Sequence, residues 1–240
     1  MSWAAHDLEP YVLHKHFGLK IAFVPLLIGS YAPDLMTKWF VYGITIFGLK
    51  LKAHDPAQFH RGWPGVGFTH SLLFGVLIGG VLWMFLGKAW GLGFIIGHWA
   101  HALTDTGDTY GTMLFFPFST DTVHLGAWAY AGQTGRFTDA AAYYSGLGWV
   151  WDGVWLALVL WNWRTLTGAY FHTQVLPGDV SLQALQRRFS STAVLVLYRV
   201  AFLYGACRWA GWLIWAHVIH HYPFDLTWGG PHWVEAKHPD

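Results

Sequence analysis

A chain of 240 residues that is 54% hydrophobic and only 11% charged, against about 25% charged for a soluble domain, has too little polar surface to cover a core in water. A formal net charge of +1 argues against a nucleic-acid surface, and the single cysteine, Cys207, excludes an internal disulfide framework. With 17 tryptophans and a mean hydropathy of +0.33, the composition points to a polytopic membrane protein with interfacial aromatic anchors and lipids as its surroundings.

Residues 1–18 mix Asp7, Glu9 and three histidines, so no cleavable signal peptide is expected and insertion would use the first internal apolar segment. That segment, Ile21 to Ala32, ends at Pro33-Asp34 and is short for a span of about 20 residues. Residues 36–51 are apolar but interrupted by glycine, either a second span or an interfacial stretch. Phe68 to Gly87 reads as transmembrane, Gly87-Lys88 as a tight connection, and 89–104 as the returning arm of an antiparallel hairpin.

Residues 106–146 read as a long polar and aromatic connection. Leu147 to Trp163 is a further span with Asp152 inside it, 164–191 looks soluble in character, and Ala193 to Ile219 is a long helix carrying Arg199 and Arg208. No internal repeat is present. The expected fold is all-α: one membrane domain over 1–240, a helix bundle of about four to six spans around the central hairpin (68–87 and 89–104). Lys and Arg divide evenly between the two sides, so the positive-inside rule assigns no orientation.

The chemistry concentrates at the end of the returning arm. At about 100° per residue, His98, His101, Asp105 and Asp108 fall within an arc of roughly 80° on one helical face. Imidazoles and carboxylates converging beside lipid-compatible sequence call for a metal, a proton path or a partner. Counting from the turn, His70 lies about 27 Å back along one arm and Asp105 about 26 Å along the other, so the two reach equal depth. A divalent ion takes three or four N/O ligands from separate elements, and one of His98 and His101 can serve by orienting the other. For Asp34 to join them, residues 36–51 must not cross the membrane. Arg61 in His60-Arg61 offers a planar fork to an anionic substrate, with lipid headgroups as the alternative. Arg199 and Arg208 point to opposite helix faces. His217, His220 and His221 read as an interfacial polar cluster. Of the N-terminal histidines His6, His14 and His16, His14 is the candidate taken forward.

Pro33-Asp34, His60-Arg61, Thr69-His70-Ser71-Leu72, His101-x3-Asp105, Tyr110-Gly111 and Phe116-Pro117-Phe118 together resemble the YdjM-type family of bacterial membrane-bound proteins assigned to metal-dependent hydrolases. The resemblance covers about residues 14–120 and leaves 121–240 as additional spans and connections. It implies a bacterial inner-membrane location, and Asp34, His70, His101 and Asp105 as metal-site residues, with His14 as a further candidate; His98 stays a metal candidate from its place on the helical face. Three departures stand out: Met36 where the family has a second Asp, a lengthened segment at Trp63 to Gly67, and Asp108 where the family tends to have Thr. The His-x3-Asp element also resembles, more distantly, the zinc sites of bacterial phospholipase C and P1-type nucleases.

Two functional classes follow. In the first, a divalent metal (zinc, with manganese the alternative) serves a membrane-bound hydrolase of ester or phosphoester, lipid-like substrates. Asp108 is then the proton acceptor, and His60 and Arg61 hold the anionic head. In the second, the chain is a non-catalytic accessory subunit of a larger membrane complex on the same scaffold, contacting pigment or haem through histidines. A proton-coupled transporter is less favoured, because no repeat is present.

Overall fold

The computed structural model describes residues 3–35, 37–131 and 135–233; Met36 and Lys237 lie outside them. The chain folds as α1 (Ala5–Phe17), α2 (Phe23–Leu35), the short α3 (Lys38–Tyr42), a hairpin of β1 (Ile44–Ile46) and β2 (Leu49–Leu51), and α4 (Pro56–Arg61). It continues through a 3-10 turn (Gly67–His70) into α5 (Leu72–Leu86) and α6 (Lys88–Thr104). Then follow α7 (Arg136–Ser145), α8 (Gly148–Trp161), the single turn α9 (Gly168–Tyr170), α10 (Val180–Gln186) and α11 (Ser191–Leu213), which runs on as a π-helix over Ile214–Ile219. The one sheet is the antiparallel pair β1 and β2, with Thr45 opposite Lys50.

The hairpin of α5 and α6 forms about Gly87, whose φ of 93° suits glycine. Residues 36–51 contain a five-residue helix and two three-residue strands, none of which can cross a bilayer. Among the described residues between Asp34 and His70, no element is long enough to cross a bilayer. Two other expectations change. The stretch 106–146 is not all connection, because α7 forms within it and buries Ala140, Ala141, Ala142, Tyr143 and Tyr144. An alanine-rich turn with no apolar stripe longer than two turns carries little sequence signal. Among the described residues one helix, Ser191–Ile219 with 29 residues, is long and apolar enough to cross a membrane. Apolar α5 and α8 have 15 and 14 residues and reach about 22 Å each.

Glycine packing brings the helices together. A Cβ on Gly97 would lie 2.0 Å from the Leu26 carbonyl oxygen, one on Gly93 2.7 Å from that of Ala22, and one on Gly29 2.4 Å from that of Phe94. Only glycine lets α2 and α6 approach so closely, the small-x3-small logic of membrane helix pairs. On the other face of α6, Gly79 and Gly91 play the same part against α5. An apolar cluster of Leu8, Tyr11, Phe23, Val159, Phe171, Tyr198 and Phe202 joins α1 and α2 to α8 and α11.

Asp152 is fully buried in α8 and has a structural use. α1 begins at Ala4 without a side-chain cap, and the Asp152 carboxylate supplies one from α8, accepting from Ala4 N (2.8 Å) and Ala5 N (3.0 Å). The Tyr143 and Tyr144 hydroxyls donate to the same carboxylate, at 2.9 Å each. Arg208 turns inward to Asp7 of α1 at 3.1 Å, whereas Arg199 donates to the Leu166 carbonyl, so the two arginines do diverge. His217 bonds the carbonyls of Tyr222 and Tyr144.

Candidate metal centre

Three segments meet at the open end of the hairpin. Asp34 closes α2; His70 ends the 3-10 turn whose successor, Ser71, caps α5 by accepting from Phe74 N; His101 and Asp105 are four residues apart where α6 tightens to 3-10 geometry. One ligand atom from each of the four lies within 4.8 Å of the others. His101 Nε2 is 3.1 Å from Asp105 Oδ2 and 3.8 Å from Asp34 Oδ1, and His70 Nε2 is 3.9 Å from each of those oxygens.

The hydrogen bonds behind the rings fix which nitrogen carries a proton. His101 Nδ1 is 2.7 Å from the Ser30 carbonyl oxygen, which can only accept, so Nδ1 donates and Nε2 keeps its lone pair. Thr69 Oγ1 donates to the Val66 carbonyl and therefore accepts from His70 Nδ1 at 3.3 Å. Both imidazoles thus aim lone pairs at two carboxylates. His70 Nε2, His101 Nε2 and Asp34 Oδ1 are buried without a hydrogen-bond partner. Acceptors facing acceptors in a buried site repel unless a cation lies between them. Tetrahedral ligands about 2.0–2.1 Å from an ion stand about 3.3–3.4 Å apart; the four imidazole–carboxylate separations of 3.1–3.9 Å bracket that spacing, and all four ligand atoms lie within 4.8 Å of one another. Two imidazoles and two carboxylates form a donor set that could hold a divalent metal.

Charges behind the carboxylates steady them. Lys38 Nζ is 3.2 Å from Asp34 Oδ2. Arg61, fully buried, pairs with Asp105, stands 3.8 Å from Asp108 Oδ2 and donates to the Gly111 carbonyl. His60 Nε2 is 3.3 Å from Asp34 Oδ1. Burial is the main cause that pushes the His60 pKa down to about 3, with the Arg61 and Lys38 charges adding to it and the adjacent Asp34 carboxylate opposing. The ring is neutral at ordinary pH.

The remaining candidates lie elsewhere. His98 donates through Nε2 to the Thr69 carbonyl at 2.8 Å, so it anchors the turn that carries His70. His14 faces Tyr170 and Phe23. Asp108 lies past the end of α6, off the expected helical face, where its Oδ1 accepts from Tyr110 N and Gly111 N. Arg61 is fully buried and paired with the Asp105 and Asp108 carboxylates.

The cluster also takes in His6 and Glu9, which the sequence reading did not select. His6 stacks on His101 with ring centroids 3.9 Å apart, and its Nε2 is 3.5 Å from Asp105 Oδ1. Burial opposes its charge, but Glu9 and Asp105 outweigh that and raise its pKa to about 10. Thr104 donates to Glu9 at 2.9 Å. The available signal was the His6-x2-Glu9 spacing, one helical turn that puts both on one face of α1.

The model of the YdjM inner membrane protein family matches residues 4–175. The chain belongs to that family. It is an inner membrane protein, and the match reaches past the motif region to His6 at one end and α8 at the other. No curated protein and no solved structure matches the chain.

Proposed function

We propose that this YdjM-family protein is a membrane-bound, metal-dependent hydrolase acting on ester or phosphoester bonds of amphiphilic substrates. One observation carries the reading: the buried lone pairs of His70 and His101 oppose the carboxylates of Asp34 and Asp105 with no hydrogen bond between them. A bound divalent ion would supply Lewis acidity toward an ester or phosphoester oxygen and toward water. The protein's own part is to hold that ion with Asp34, His70, His101 and Asp105. Ser30 and Thr69 set the imidazole tautomers, and Lys38 and Arg61 keep the carboxylates ionised. Asp108, the proton acceptor expected from the sequence, is engaged by the Tyr110 and Gly111 amides and by Arg61.

The bundle reading draws on its surface. α5 exposes Leu77, Met84 and Phe85, α8 exposes Val154 and Leu160, and α11 exposes Val196, Val200 and Leu203. Three helices with bare apolar sides suit hydrocarbon contact. The same surface suits the second reading, a non-catalytic subunit packed in a larger complex.

Elemental mass spectrometry on detergent-purified, chelator-free protein tests the metal. One or more equivalents of zinc or manganese are expected, lost in His101→Ala and kept in His98→Gln. Metal unchanged in His101→Ala refutes the site. A metal-replete protein that cleaves no ester or phosphoester favours the accessory subunit.

A further inference from the structure

Beside the cluster lies a cavity of about 390 Å³, whose lining includes His6 and Asp34 at its inner end. Three cations from three helices also line it: Lys38, Arg136 and Arg208. Among the described lining residues Asp34 is the one carboxylate, and its Oδ1 belongs to the candidate metal cluster. The walls are aromatic and apolar, with Trp3, Tyr31 and Trp39 among them. At the outer end Leu35 and Trp39 are 52% and 57% exposed.

We infer that this cavity is the substrate's binding subsite and that it recognises a phosphate monoester on an apolar chain. The inference rests on the hydrolase reading for the fate of the ligand, but not for its binding. A carboxylate head would satisfy one planar fork. Two guanidinium groups and an ammonium around one space, with Lys38 also paired to Asp34 and Arg208 to Asp7, supply more N–H donors than a carboxylate can use and match the three free oxygens of a phosphate monoester. Arg208 is held in place through Nη1 by Asp7 at 3.1 Å and lies over the Trp3 ring at 5.3 Å, while its buried Nε has no hydrogen-bond partner. Arg136 is exposed and makes no ion pair among the described residues. A head held by these groups adjoins Asp34, and its chain can run along Trp39 and Leu35. Arg208 and Trp3 lie outside the residues that match the family model, so the subsite includes parts particular to this chain. It also assigns to Lys38, Arg136 and Arg208 the anion recognition that the sequence had suggested for His60-Arg61.

Calorimetry on the full-length, metal-replete protein in non-ionic detergent tests this with two non-hydrolysable probes, dodecylphosphonate and methylphosphonate. Dodecylphosphonate should bind at least tenfold tighter than methylphosphonate. Arg136→Gln, at an exposed position, and Arg208→Lys, which keeps the charge without the fork, should each weaken it about tenfold while retaining metal. Equal affinity in both variants and the parent, or no binding to metal-replete protein, overturns the subsite. Equal affinity for the two probes overturns the apolar chain and points to a soluble phosphoester. The His101→Ala protein separates the two readings. If it lacks metal yet binds dodecylphosphonate with the same dependence on Arg136, the subsite holds whatever the outcome for hydrolysis.

Discussion

Removing the Asp152 carboxylate should loosen the candidate metal centre without touching a ligand. The side chain is fully buried and, among the described residues, accepts from the Ala4 and Ala5 backbone amides at the start of α1 and from the Tyr143 and Tyr144 hydroxyls. In Asp152→Ala the amides are stranded in a dry site at about 1–3 kcal/mol each. The hydroxyls can turn, and their loss adds about 0.5–1.5 kcal/mol each. The lower half of these ranges sums to about 4 kcal/mol, or roughly 10 °C in melting temperature for a chain of this size. Asp152→Asn keeps one acceptor oxygen and should lose about half as much. Because α1 carries His6 against His101, hydrogen exchange should show the first turn of α1 opening before the rest of the bundle. The assay is thermal unfolding in detergent with metal content measured in parallel. An Ala variant that melts with the parent and protects α1 equally would refute the capping role.

Gly97→Val should force α2 from α6, since even a Cβ would sit 2.0 Å from the Leu26 carbonyl; a loss of about 3 kcal/mol and of most bound metal is expected, whereas Gly80→Ala, where a Cβ meets nothing within 4 Å, should melt like the parent. Arg61→Ala leaves Asp105 and Asp108 without their buried guanidinium, at about 3–5 kcal/mol, and Arg61→Lys should recover only part of the melting temperature, because one ammonium cannot span both carboxylates and the Gly111 carbonyl. His14 is a pH probe away from the cluster: burial is the main cause that lowers its pKa to about 4, against 6.5 in the open chain. Its contribution is then fully present above pH 6.5 and lost as pH falls toward 4, at about 1.4 kcal/mol per pH unit. His14→Gln should show a flatter decline in melting temperature over that range, and an unchanged decline would reject the assignment.

Much of the centre was legible because it depends on local geometry. Helical rise puts His70 and Asp105 at one depth on either side of Gly87, and the four-residue spacing of His101 and Asp105 puts them on one face. These quantities need only the chain between the residues concerned. The mostly helical character was legible on the same ground, from apolar stretches and glycine at the turn, but the expected four to six spans were not: among the described residues one helix is long and apolar enough to cross a membrane. The helix-face argument failed at Asp108, because α6 ends at Thr104 and the arc it assumed does not extend that far.

What the tertiary structure decided involves partners distant in sequence. His6, His14 and His16 share one short helix, and spacing alone does not say which faces the cluster. The docking of α1 does, through Asp152 about 150 residues away and Arg208 about 200 away. Arg61 reads equally well as a surface anion binder until the chain returning at Asp105 and Asp108 encloses it and turns it into a brace. Asp34 needed the α2–α6 approach, which depends on glycines of two helices matching in register. Periodicity along a chain fixes the face and depth of a side chain, but what that face meets is fixed by burial shared among segments far apart in sequence.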